Sequence, residues 1–75
     1  MSHVGSVITP WRRVYAKFGM SQSQFARAIK RHRSKVCRAL RDEKGLISGR
    51  DQQRLFEAAR ELDIDLTSED VIPNV

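Results

Sequence analysis

The stretch Ser21-Gln22-Ser23-Gln24-Phe25-Ala26-Arg27-Ala28-Ile29-Lys30-Arg31-His32-Arg33-Ser34-Lys35-Val36-Cys37-Arg38-Ala39-Leu40 carries two short helical patterns with a polar interruption between them. The Ser21 hydroxyl can cap a helix start, and Gln24 three residues on can reach back, which makes a reciprocal capping box. Phe25, Ala26 and Ile29 then share one face, and that pattern stops near Lys30. Val36 and Leu40 are four apart with Ala39 beside them, so a second short helix runs roughly from Arg33 to Leu40. Arg33, Ser34, Lys35, Cys37 and Arg38 fall elsewhere around it.

Upstream, Thr9-Pro10 is a helix start, because Thr can cap and Pro suits the first helical position. Trp11, Val14, Tyr15 and Phe18 follow in one apolar stripe, and Gly19 ends it. Aromatics at that spacing read as core rather than as a platform for stacked bases. Downstream, Arg41 to Gly45 reads as a loop, and Leu46 and Ile47 are expected to fold back onto the core. Ser48 with Asp51 three residues on marks another start, for a helix from about Arg50 to Leu62. Leu55, Ala59 and Leu62 form its buried stripe, and Glu57 and Arg60 lie on its outer side. In the tail, Ile64 and Leu66 alternate with Asp, as a short strand or an extended connection. Thr67 and Asp70 can cap a final turn carrying Val71 and Ile72, stopped by Pro73. Val4 to Thr9 can pair with Ile64 to Leu66 as a small sheet, and nothing in the sequence decides it. The fold class expected is all-α, with four to five short helices in one domain over residues 1–75. Residues 1–8 form a flexible or extended N-terminus, and residues 63–75 form a tail that can serve as a dimer contact.

Seventy-five residues allow one domain of marginal stability and leave no room for a deep enzyme cleft. One cysteine, Cys37, cannot make an internal disulfide or a cysteine zinc site, and His3 and His32 lack metal-ligand spacing. The four glycines are scattered and form no phosphate loop. Glu57, Glu61, Asp63 and Asp65 read as a solvated face rather than a carboxylate pair. No catalytic residue, metal, cofactor, small-molecule substrate or membrane segment is expected, and the composition fits a reduced, cytoplasmic protein.

The net charge of +5 is unevenly distributed. Residues 1–41 hold ten Lys and Arg and no acid, whereas residues 42–75 hold four basic residues and nine acids. The first part attracts a polyanion and the second repels it, and nucleic acid is the obvious polyanion.

The stretch from Gln22 to Leu40 resembles, without a gap, the helix-turn-helix of phage Cro and CI repressors, a lambda-repressor-like fold. The small Ala26 stands where the two helices touch most closely, and Phe25, Ile29, Val36 and Ala39 fill the apolar positions. The tail from Asp65 to Pro73 looks like that of small Cro-like regulators of the YdaS type. His32 to Val36 is similar to reading helices of phage CII-like activators. Two positions depart from the pattern. Lys30 stands where a left-handed turn usually has Gly, and Arg31 stands at a position that is usually apolar. The expectation for Arg31 is that its stem covers core while its charge reaches water or phosphate.

The resemblance implies that the helix from Arg33 enters the major groove of double-stranded DNA. It places Arg33, Ser34, Lys35, Cys37 and Arg38 at the bases, with Cys37 near a thymine methyl. It places Ser21, Gln22, Arg27, Arg31, His32 and Arg41 at phosphates, which position the protein without reading sequence. The function implied is a Cro-like repressor in a phage-infected or bacterial cell, a homodimer on an operator with half-sites about 34 Å apart. The alternatives are a CII-like activator, or a protein-interaction module of the same fold such as an antitoxin or adaptor.

Overall fold

A computed structural model describes residues 8–72 of the chain. Within them run α1 (Pro10–Phe18), α2 (Gln22–Ala28), α3 (Arg33–Arg41), α4 (Gly49–Glu61) and a 3-10 turn at Ser68–Val71. The fold is all-helical, and no strand occurs among the described residues. Ile64 to Leu66 is an irregular connection rather than a strand, and Val4 to Val7, its possible sheet partner, lies outside the described residues. The expectations for residues 1–7 and 73–75 likewise lie outside them.

Each helix starts where its capping residue stands. Thr9 accepts the Arg12 N–H, and Pro10 opens α1. At Ser21 both halves of the reciprocal box with Gln24 are made at 3.2 Å. Ser48 accepts the Asp51 N–H at the start of α4. Caps of this kind are each worth about 1 kcal/mol.

The ends of α2 and α4 share one device. Lys30 adopts a left-handed φ of 59°, and the Arg31 N–H donates back to the Ala26 carbonyl at 2.9 Å. Asp63, at φ 57°, does the same work beyond α4, with Ile64 N–H bonded to the Ala59 carbonyl at 2.8 Å. These bonds satisfy carbonyls that the helix leaves open. The departure at Lys30 therefore keeps the left-handed geometry and accepts the strain of a side chain there.

One apolar cluster joins all the elements. Phe25, Ile29, Leu55, Val14 and Val36 are its largest fully buried side chains. Phe25 meets the rings of Trp11, Tyr15 and Phe18 at centroid distances of 6.4, 5.2 and 5.0 Å. The aromatic stripe of α1 is thus spent on the core. Val71 of the tail is buried in the same cluster and closes it against α1.

Two apolar expectations need correction. Along the link from Gly45 to Ser48 burial alternates, so Ile47 is buried while Leu46 is 54% exposed. Leu46 contributes its backbone instead, accepting the Trp11 indole N–H at 3.0 Å. Leu62 does not complete the α4 stripe. It caps the helix just before the chain turns left-handed, and its side chain borders an open groove with Met20 and Ala28.

Candidate nucleic-acid interface

The α2–α3 pair is built by its core side. Phe25, Ala26 and Ile29 of α2 and Val36 and Leu40 of α3 are all buried, and the two helices pack on each other. With that face fixed inward, α3 must present its remaining residues outward. Arg33, Ser34, Lys35, Arg38 and Arg41 are exposed, and Cys37 is half-buried.

Two open grooves flank α3. One, about 350 Å³, is bordered by Lys35, Ala39, Asp42 and Leu46, and the other, about 420 Å³, by Arg33 and Cys37. His32, Ser34 and Arg38 border both grooves, so they form the crest between them. Cys37 stands in the second groove beside Arg33 and Arg38, with its thiol free.

His32 starts α3. Its Nδ1 accepts the Ser34 backbone N–H at 3.2 Å, which requires that nitrogen to carry no proton. The Ser34 hydroxyl lies 2.6 Å from the same Nδ1. In this state the ring proton resides on Nε2. Ser34 is therefore held at the crest by His32 rather than left to rotate.

Arg31 is engaged within the fold. Its guanidinium does not stand free for phosphate: Nε and Nη2 lie 2.7 and 2.6 Å from one carboxylate oxygen of Asp51. The Asp51 side chain is only 4% exposed, and its other oxygen faces the Ser48 hydroxyl at 3.3 Å and Lys35 Nζ at 3.7 Å. A charge at a position that the pattern keeps apolar needs a counter-charge, and α4 supplies it. That mismatch at Arg31 was the one signal in the sequence from which a buried acid partner could be sought.

The other phosphate candidates are distributed around this face. Ser21 is exposed, but its oxygen is engaged as the cap of α2. Gln22 is half-buried in the first turn of α2, and Arg27 is exposed in its last turn. Arg41 ends α3 and is exposed.

Long-range contacts sort the cations further. Arg12 Nε donates to the Leu40 carbonyl at 2.7 Å, which ties α1 to the end of α3. Arg13 donates to the Glu69 and Ile72 carbonyls, and Lys17 pairs with Asp70 at 2.7 Å. The tail thus engages Arg13 and Lys17 of α1. Among the described residues Arg27, Arg33, Arg38 and Arg41 enter no ion pair within 4 Å. Asp70 is held below the ordinary carboxylate value of 3.8. Burial pushes it up, but the Lys17 ammonium and the Thr67 N–H and hydroxyl outweigh that.

Among the described residues no helix is long and apolar enough to cross a membrane, and no cluster of His, Cys, Asp and Glu could hold a metal ion. No protein-family model matches the chain, and no match was found among curated proteins or solved structures.

Proposed function

We propose that the chain is a sequence-specific, double-stranded DNA-binding transcriptional regulator, a Cro-like repressor that occupies its operator through α3. The observation that carries this reading is the crest of α3. Ser34 and Arg38 stand between two open grooves, with unpaired Arg33 and Arg41 on the same short helix and no acid within it. A helix of this width fits the major groove, and Arg is the side chain best matched to the guanine edge. Arg38 and Arg33 are the proposed guanine readers, and Cys37 offers a small apolar contact to a thymine methyl. Ser34, Lys35 and His32 set and extend that face. Ser21, Gln22, Arg27 and Arg41 are the proposed phosphate contacts. The proposal assigns no catalytic role and includes a homodimer on two half-sites about 34 Å apart.

Selection from a pool of random duplex DNA tests it. Enrichment of one sequence, two-fold symmetric and with that spacing, is the expected result. Salt-sensitive binding with no enriched sequence would leave only a basic surface.

One observation favours a second reading, a protein-interaction module. Leu62 is 47% exposed and borders a groove with Met20 and Ala28. Leu62→Glu separates the readings: loss of a protein partner other than a second copy, with DNA binding intact, supports the module.

A further inference from the structure

Lys30, Arg50 and Arg54 stand outside the face of α3. They border one open groove of about 360 Å³, together with Gln53 and Glu57. Arg50 and Arg54 are one turn apart on α4 and share a face. Arg54 Nη1 donates to the Lys30 carbonyl at 3.3 Å, which ties α4 to the turn between α2 and α3. Among the described residues none of the three enters an ion pair within 4 Å. The Lys30 charge is carried on a strained, left-handed residue, where glycine would sit without strain.

We propose that Lys30, Arg50 and Arg54 make a second contact to the sugar–phosphate backbone of the duplex, outside the bases that α3 reaches. This rests on the DNA-binding reading of α3. Arg54 bonds the Lys30 carbonyl, and Asp51, next to Arg50, holds Arg31, so the patch adjoins the turn that leads into α3. The groove is bordered by charged and amide side chains only. It offers a protein partner no apolar or aromatic anchor, whereas a phosphate needs only the cations. Glu57 marks the end of the patch on α4. The linear sequence conceals this cluster, because Arg50 and Arg54 belong to the half whose net charge is negative.

The test is the salt dependence of binding by Arg50→Gln/Arg54→Gln, against the parent chain on one selected duplex. Each lost phosphate contact removes ~0.9 from the slope of log affinity against log salt. From roughly 50 to 200 mM salt the double variant should therefore lose about twelvefold less affinity than the parent. Its preference among base sequences should be unchanged. Glu57→Gln, which leaves every cation in place, should bind more tightly. An unchanged slope in the double variant, together with parental affinity in Glu57→Gln, overturns the proposal. So does a double variant that loses base preference along with affinity, since these residues would then act only by positioning the turn. A parent that binds DNA without base preference defeats the regulator reading alone, and the slope comparison still decides the second contact. A parent that binds no DNA defeats both.

Discussion

Replacing Arg31 with Met should destabilise the protein far more than replacing Asp51 with Asn. The Asp51 carboxylate is almost wholly buried, and Arg31 supplies its two shortest contacts, at 2.6 and 2.7 Å. Without Arg31, it keeps only the Ser48 hydroxyl at 3.3 Å and Lys35 at 3.7 Å. Removing one partner of a buried pair costs about 3–5 kcal/mol. The Arg31 side chain is 26% exposed, so solvent already shares the load. The cost of Arg31→Met is then about 2–3 kcal/mol, below the fully buried range. Asp51→Asn leaves a guanidinium that can turn to water and an amide oxygen that can still accept, so its cost is about 1 kcal/mol. A domain of this size has roughly 4–11 kcal/mol in total, so Arg31→Met removes a large share. Thermal unfolding followed by circular dichroism should show Tm falling by roughly 8–24 °C for Arg31→Met. The double variant Arg31→Met/Asp51→Leu should recover much of that loss, because an apolar pair leaves no buried charge. If Arg31→Met stays within about 0.5 kcal/mol of the parent, or Asp51→Asn costs more, the pair does not hold the turn to α4.

Three further outcomes are expected. Gly45→Ala should cost about 2–4 kcal/mol in denaturant unfolding, because Gly45 has φ +52° and an added Cβ would collide with the Thr9 side chain. Asp70 supports folding fully above its unfolded value near 3.8, and that support is lost as the pH falls through its lowered folded-state value. Acid titration should therefore show Asp70→Asn less stable than the parent at neutral pH, with the two curves converging below about pH 4. In DNA binding, Arg38→Ala should relax preference at one base pair by about 1–3 kcal/mol, while Arg27→Ala weakens all sequences alike; competition with single-base variants of the selected site reads both.

What the sequence made legible was local. Thr9, Ser21 and Ser48 cap helices through bonds to N–H groups three residues away, and such bonds depend on little else. Phe25, Ile29 and Val36 followed from helical spacing, and the outward residues of α3 followed from them. The left-handed Lys30 came from position in the resemblance, and its carbonyl-capping bond explains it. What stayed hidden depends on separation along the chain. Arg31 meets Asp51 across 20 residues, Arg12 meets Leu40 across 28, and Lys17 meets Asp70 across 53. No periodicity encodes those distances. Leu46 and Leu62 were misjudged because hydrophobicity alone does not say which way a side chain leaves a link or a helix end. Because Val71 closes the core, removing the tail from Thr67 onward would uncover the core itself. A substitution at exposed Ile72 is the cleaner probe of self-association.

The tail's ion pair with Lys17 has a kinetic consequence. By pairing Lys17 with Asp70, the tail offsets one positive charge on α1, whereas Arg27, Arg33, Arg38 and Arg41 on α2 and α3 keep theirs. An uneven charge of that kind gives the molecule a preferred heading in the field of a polyanion. Encounters that begin in the wrong orientation rotate before they dissociate, so more collisions become productive. Loosening the tail would then slow capture without altering a single side chain of α3.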